Sequence, residues 1–154
     1  MFPCINSCIE IYGDACDYLV DKLHFLNNNI LRILQFKDGK YPVSKLYSVF
    51  NLLPIRQLRL YRMLTFMCKW VHVRSSLPDS FWDAFVFERN MHCHKTRNEL
   101  DLHIISCRIE YYKRSYKYYG AIIWNNLDKD LKCFSDIHLF LHKLKVQLMQ
   151  QVIV

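Results

Sequence analysis

The sequence is poor in glycine and proline, and it contains no long uninterrupted apolar run. Only three Gly and four Pro occur among its 154 residues. Gly13, Gly39 and Gly120 stand far apart, so the chain lacks the Gly-rich loop that cradles phosphates in many nucleotide-binding proteins. Charged residues interrupt every apolar stretch before it reaches the ~18 consecutive apolar residues that a membrane span requires. We therefore expect no membrane partner.

Patterns that carry catalysis are also scarce. Two-metal phosphoryl transfer needs clustered carboxylates, yet the sequence contains no two adjacent Asp residues. Asp14, Asp17 and Asp21 fall near the start of a helix, where acidic side chains are favourable through the helix dipole alone. Cys93 and His94 are neighbours in sequence, and adjacent side chains rarely face each other as a nucleophile and its base must. The sequence predicts no enzymatic activity, no catalytic residue and no cofactor.

The seven cysteines favour free thiols over a disulfide framework. Their number is odd, and the first residues lack the basic region and apolar run of a secretory signal, so we expect an intracellular protein, in the nucleus or the cytoplasm. No Cys-x-x-Cys pair occurs, and we predict no metal site. A zinc-stabilised domain is the alternative, because thiolates and imidazoles suit Zn²⁺ and four such residues lie close in sequence: His92, His94, His103 and Cys107.

The positive charge is concentrated in the middle of the chain. Overall, 21 Lys and Arg stand against 14 Asp and Glu. Residues 37–97 hold eleven basic and four acidic residues, whereas residues 1–36 hold two and four, and residues 98–154 hold eight and six. A basic block of this kind favours a nucleic-acid partner.

Apolar residues recur at helical spacing over much of the sequence, which predicts a mainly α fold. We expect a single domain over residues 1–154 with five or six helices, and a boundary near residues 89–112 is the alternative. Strand-like residues leave room for one small β-hairpin near residues 86–112. Gly39 is expected to end the first helix by supplying a positive φ. The expected helices cover residues 14–36, 43–50, 55–73, 118–127 and 135–148. Ser135 is the expected N-cap of the last helix, whose apolar stripe contains Ile137, Phe140, Leu141, Leu144 and Leu148.

The helix expected over residues 55–73 has an apolar side and a basic arc. At about 100° per residue, the arc collects Arg56, Arg59, Arg62 and Lys69. Phe66 and Trp70 fall in the same arc, and basic residues mixed with aromatic ones are typical of surfaces that follow a nucleic-acid backbone. Alternatively, the two aromatic rings pack on neighbouring helices and the arginines extend around them.

An ordered set of short motifs covers nearly the whole chain. The first half contains Ile11-Tyr12-Gly13, the helix at residues 23–34, and Leu52-Leu53-Pro54-Ile55. The second half contains, in order, Leu77-Pro78-x-x-Phe81, His92-x-His94-x-Thr96-Arg97, Ser115-x-x-Tyr118-x-Gly120-x-x-x-Trp124-Asn125-x-Leu127, and a last helix that follows Ser135. Their order and spacing resemble the segment after the polymerase core in reverse transcriptases of LINE-type, jockey-like non-LTR retrotransposons. Ala121 and Asp128 stand where that family has Pro, in what we expect to be turns.

The resemblance implies a non-catalytic C-terminal segment of an RNA-directed DNA polymerase. In the family, the polymerase activity and its metal-binding carboxylates lie upstream, so no catalytic residue carries over to this chain. The implied partners are RNA or DNA and the upstream polymerase domain of the full-length protein. The predicted phosphate contacts are the basic arc together with a second cluster, namely Arg56, Arg59, Arg62, Lys69, Arg97, Lys113, Arg114 and Lys117.

Two other interpretations stay open at this stage. The segment could serve as a structural module that buttresses the polymerase core, in which case an exposed apolar patch should mark the docking surface. It could also be a functionless remnant of an element. The His94-x-Thr96-Arg97 and Trp124-Asn125 motifs likewise have a structural alternative, as a hydrogen-bonded loop and as an anchor with its indole N–H paired.

Overall fold

The computed structural model describes residues 9–12, 15–91, 100–134 and 136–153. In these ranges the chain is mainly helical, which confirms the predicted fold class. Short 3-10 turns lie at Arg74–Ser76, Asp79–Phe81 and Glu88–Asn90. The α-helices are α1 (Ile9–Tyr12), α2 (Asp17–Leu34), α3 (Val43–Val49), α4 (Ile55–His72), α5 (Glu110–Lys113), α6 (Tyr116–Asn125), α7 (Lys129–Lys132) and α8 (Ile137–Ile153).

Helix α2 ends in a left-handed residue that is not glycine. Phe36 has φ 51°, its N–H donates to the Ile33 carbonyl at 3.0 Å, and the Lys37 N–H donates to the Arg32 carbonyl at 2.9 Å. These two hydrogen bonds form a Schellman motif, which satisfies carbonyls at the end of the helix.

Helix α3 ends in the same way at Asn51, which has φ 50°. The expectation that Gly39 supplies the positive φ is therefore wrong, since Gly39 does not have one. The helix ends earlier, and Phe36 and Asn51 take the left-handed positions instead.

Helix α4 is packed over most of its circumference. It begins after Pro54, whose carbonyl accepts a hydrogen bond from the Leu58 N–H at 2.7 Å. Every residue from Gln57 to His72 is buried or half-buried, and only Arg56 is exposed. The sequence pattern of one apolar side and one basic arc underestimates this burial, because long basic side chains can extend along apolar neighbours.

In the described ranges the expected hairpin is reduced to one antiparallel bridge between Phe87 and Leu102. Two backbone hydrogen bonds, of 2.9 and 2.8 Å, flank the bridge. Tyr111 and Tyr112, whose chemistry is typical of strands, lie instead in the short helix α5. β-Propensity reports a fit to a half-buried sheet surface, and no neighbouring strand accompanies these tyrosines here.

The chain divides into two compact units. Unit 1 contains the residues up to Tyr61 together with those from Lys145 onward, and unit 2 is Arg62–Leu144. The division falls within α4 and α8. Residues 89–112, the position of the alternative boundary, lie inside unit 2.

The core of unit 1 lies between α2 and α3, where Leu31, Leu46 and Tyr47 are buried together. Asn27 is also buried, and its Nδ2 donates to the Tyr47 hydroxyl at 2.9 Å. That hydroxyl donates in turn to Asn28 Oδ1 at 2.7 Å. Burial raises the pKa of Tyr47, so the hydroxyl keeps the proton that it donates.

Aromatic rings build the core of unit 2. Trp70 is fully buried, with its ring centroid 5.2 Å from that of Phe85 and 5.4 Å from that of Phe87. Its indole N–H donates to the Phe81 carbonyl at 2.9 Å. Phe66 meets Phe81 edge to face at 5.4 Å. The interpretation of Phe66 and Trp70 as packing residues is therefore confirmed.

The Trp124-Asn125 motif at the end of α6 anchors the segment that follows residue 99. The Trp124 indole N–H donates to the Leu100 carbonyl at 3.0 Å. The Asn125 amide donates to the Leu102 carbonyl and accepts from the Leu102 N–H, both at 2.8 Å. One side chain thus pairs with both backbone groups of a buried residue, which supports the structural interpretation of this motif.

A buried cation reinforces the same anchor. Lys132 is only 3% exposed, and its Nζ donates to Asp101 Oδ1 at 2.9 Å and to the Asn125 carbonyl at 2.7 Å. Its own carbonyl lies 3.1 Å from His72 Nε2. A buried charge is tolerated when it is paired and hydrogen-bonded in this way.

Other positions of the second-half motifs also have structural roles. Ser115 caps α6 by accepting from the Tyr118 N–H at 3.4 Å. A Cβ on Gly120 would lie 2.9 Å from Met67 Sδ, so glycine allows α6 to approach α4 closely within unit 2. Ala121, expected in a turn, is buried inside α6, where a proline would remove a helical hydrogen bond.

Helix α8 begins after Asp136, whose Oδ1 accepts from the His138 N–H at 2.8 Å. Ser135, the residue that the sequence predicts as the N-cap, lies outside the described residues. The predicted apolar stripe is confirmed by the burial of Phe140, Leu144 and Leu148.

Candidate nucleic-acid interface

Arg56, the exposed member of the predicted basic arc, is already paired with carboxylates. Its guanidinium lies 2.7 Å from Asp21 and 3.3 Å from Asp17, and the hydrogen bond that it donates to Asp21 raises the pKa of Arg56. All three side chains are exposed, so the pairs contribute little to stability. Two carboxylates beside one guanidinium nevertheless leave no excess positive charge for a phosphate.

The other three residues of the arc are half-buried. The Nε atoms of Arg59 and Arg62 are buried, and the division between the two units falls between these arginines. Lys69 lies near the end of the same helix. The structure therefore does not gather the predicted arc into one exposed basic face, because packing around α4 covers most of it.

The second predicted cluster is more accessible. Arg114 and Lys117 are exposed, next to the start of α6. Lys113 forms an ion pair with Glu110, and this hydrogen bond raises the pKa of Lys113 and lowers that of Glu110. Arg97 lies outside the described residues.

Two exposed residues beside this cluster were not predicted. Arg108 is exposed, and Tyr111 is 87% exposed. The signal in the sequence is the stretch from residue 108 to residue 119, which contains four basic residues, one acidic residue and five tyrosines. We call residues 108–119 the basic tyrosine-rich segment.

A pocket of about 330 Å³ opens beside this segment in unit 2. Phe85 and Val86 contribute apolar wall, and the pocket is also lined by Met91 and Ile105. The polar and aromatic residues that line it are Asp83, His103, Tyr112, Lys117 and Tyr118. Lys117 therefore belongs both to the pocket and to the basic tyrosine-rich segment.

Neighbouring contacts hold the lining residues in place. The Tyr112 and Tyr118 rings meet edge to face, with centroids 6.2 Å apart. His103 Nδ1 lies 3.1 Å from Glu88 Oε2, which leaves Nε2 as the ring nitrogen for another partner. The bridge between Phe87 and Leu102 fixes the residues that immediately precede Glu88 and His103. The pocket is thus built on anchored backbone.

The residues of the alternative zinc site do not converge where they are described. Among the described residues, no group of three His, Cys, Asp or Glu side chains is placed to hold a metal ion. His103 faces Glu88, and Cys107 Sγ accepts from the Ile109 N–H at 3.4 Å. His92 and His94 lie outside the described residues.

Cys68, a buried thiol, has its pKa raised to about 11 by burial, so it stays protonated and unreactive near neutral pH.

Comparisons with protein-family models, with curated proteins and with solved structures found no match to the chain. Within the described ranges, none of the helices has both the length and the apolar character needed to cross a membrane.

Proposed function

We propose that the chain is a non-catalytic nucleic-acid-binding segment, derived from the C-terminal part of a LINE-type reverse transcriptase, that contacts RNA or DNA phosphates. The observation that carries this proposal is the joint exposure of Arg108, Arg114, Lys117 and Tyr111 in one short stretch of unit 2. Among the described residues, Arg108, Arg114 and Lys117 form no ion pair with a carboxylate, whereas Arg56 on α4 is paired with two.

Elementary electrostatics supports binding at this segment. Cationic side chains that neutralise phosphates release condensed counterions, which makes affinity fall as salt rises. Tyrosine rings beside the cations supply stacking surfaces for unpaired bases, whatever the sequence. We therefore propose single-stranded RNA or DNA, bound with weak sequence preference.

The predicted residues divide into two roles in this proposal. Lys113, Arg114 and Lys117 contact phosphates, joined by Arg108, and Arg97 is a predicted member of the same surface. The basic arc of Arg56, Arg59, Arg62 and Lys69 serves mainly to pack and to form ion pairs.

A salt series of binding measurements tests the proposal. We expect purified protein to bind labelled single-stranded RNA with a slope of log affinity against log salt of about −3, as four phosphate contacts imply for a single strand. A variant that carries Arg108→Glu, Arg114→Glu and Lys117→Glu should lose most of this binding. Duplex DNA, measured in parallel, reports the preference for single strands.

A charge-matched variant provides the control. Lys22, Lys40 and Lys45 are exposed residues of unit 1, and replacing all three with Glu changes the net charge by the same amount. Circular dichroism checks that both variants fold. Equal loss of binding in the two variants, or binding that does not change with salt, would contradict the proposal.

A second candidate function is a structural module that docks onto a protein partner, the polymerase core that the resemblance implies. It is favoured by a specific observation in unit 1: one side of α2 exposes large apolar residues. Six of them are more than half exposed, namely Tyr18, Leu19, Phe25, Leu26, Ile33 and Leu34. Exposed apolar patches on helices are typical of protein–protein contact surfaces.

A further inference from the structure

We infer that the pocket in unit 2 receives one unpaired nucleobase of the strand that the basic tyrosine-rich segment holds. The inference rests on the proposed function and adds a site to it. Its starting point is Lys117, which is exposed in the segment and also lines the pocket. A strand whose phosphate contacts Lys117 places the attached base at the mouth of the pocket.

The size and walls of the pocket suit a single planar ring system. Its volume of about 330 Å³ lies at the lower end of the range of about 300–1,000 Å³ that small-ligand pockets cover. Phe85, Tyr112 and Tyr118 present aromatic surface, and every nucleobase has a face that can stack on such rings.

The polar residues of the pocket complement a nucleotide in both of its parts. The Lys117 ammonium is suited to the phosphate, whereas the Asp83 carboxylate only accepts hydrogen bonds and so is suited to the N–H groups on the edge of a base. His103, oriented by Glu88 at 3.1 Å, offers its second ring nitrogen to the same edge. A ligand with N–H donors at one end and an anion at the other matches this pair of opposite charges.

Base removal tests this inference directly. We compare a short single-stranded oligonucleotide with an abasic strand of the same length, which keeps every phosphate. The intact strand should bind about tenfold more tightly, as expected when aromatic stacking of one base is added. The salt dependence should be the same for both strands, because their phosphate contacts are the same.

A pocket-filling variant locates the effect. Ile105 lines the pocket and is 56% exposed, so Ile105→Trp should fill it and reduce the affinity for the intact strand to that for the abasic strand. Leu139→Trp is the matched control, since Leu139 is exposed on α8 and does not line the pocket. This control should keep the tenfold preference.

The outcomes separate this inference from the function on which it rests. Equal, salt-dependent binding of both strands would overturn the base pocket and leave phosphate binding supported. Absence of binding to either strand would overturn both. A preference for the intact strand that survives in a folded Ile105→Trp variant would place the base elsewhere and also overturn the inference.

A measurement on the unaltered protein guards against a variant that fails to fold. Met91 lines the pocket, so the methyl resonance of Met91 in protein labelled with ¹³C-methyl methionine should shift when the intact strand is added. The abasic strand should shift it much less. Equal shifts with the two strands would contradict insertion of a base.

Discussion

His24 lies on α2 with its ring stacked parallel to that of Tyr47, at a centroid distance of 6.3 Å. Its Nδ1 is buried with no hydrogen-bond partner in the described structure. Burial lowers the pKa of His24, an effect that Asp21 opposes and Arg56 reinforces. Protonation of this imidazole therefore disfavours the folded state of unit 1.

The sign of the pH dependence follows from this lowered pKa. Below the ordinary histidine pKa of about 6.5, the unfolded chain takes up a proton at His24 more readily than the folded chain, so stability falls as pH decreases. The stability that the neutral imidazole provides is fully present above that pH. We expect the urea midpoint to fall between pH 7.5 and pH 5, and to fall less in a His24→Gln variant. Parallel decreases in the two proteins would contradict this role.

Buried polar residues show where prediction from the sequence reaches its limit. The three consecutive asparagines in α2 weaken a helix by propensity, yet Asn27 and Asn28 both bond to the Tyr47 hydroxyl. A partner about twenty residues away leaves no local pattern. The ion pairs of Arg56 are equally non-local, because Asp17 and Asp21 reach it from a different helix.

At the scale of the elements, Asn125 is the side chain on which the anchoring of residues 100–102 depends. Leu102 is only 1% exposed. Asn125→Ala therefore leaves the N–H and the carbonyl of Leu102 without a partner and shielded from water. Unsatisfied buried groups cost about 1–3 kcal/mol each, and we expect a loss of about 3 kcal/mol in the free energy of unfolding. Urea unfolding measures the loss, and amide hydrogen exchange at Leu102 should accelerate.

The neighbouring residue provides the control for this substitution. Asn126 is exposed at the end of α6, so Asn126→Ala should change stability by less than about 0.5 kcal/mol. Comparable losses in the two variants would show that the effect comes from the helix end and not from the anchor.

Helix positions were predictable because apolar periodicity is a local property. The long helices α2, α4 and α8 begin and end within three residues of their expected limits, except that α8 ends five residues later than expected. Helix termination was less predictable, since Phe36 adopts a conformation usually taken by glycine. The paired strand segments were only partly predictable. The single bridge joins Phe87 to Leu102, and Asn125 on α6 bonds to Leu102, a contact that sequence spacing does not reveal.

At the scale of the whole molecule, charge and apolar surface are distributed differently between the two units. The exposed cations of the basic tyrosine-rich segment belong to unit 2, whereas the apolar side of α2 belongs to unit 1. Net charge by segment predicted a basic middle, but exposure decides which charges can act. Residues 108–119 come after that middle, and three of their four cations are exposed, whereas packing around α4 leaves Arg59, Arg62 and Lys69 half-buried.

The apolar side of α2 predicts self-association or binding of a hydrophobic dye. Monomeric proteins rarely expose contiguous apolar patches beyond a few hundred Å², so the unpartnered chain should bind the dye or sediment as a concentration-dependent oligomer. Leu26→Gln with Ile33→Gln should reduce the dye fluorescence at least twofold without a change in circular dichroism. The control is Val49→Gln with Val146→Gln, at exposed positions of unit 1 outside α2. This pair should leave the dye fluorescence unchanged. A monodisperse wild-type protein that binds no dye would contradict the docking role. RNA binding by unit 2 is tested separately, by its salt series.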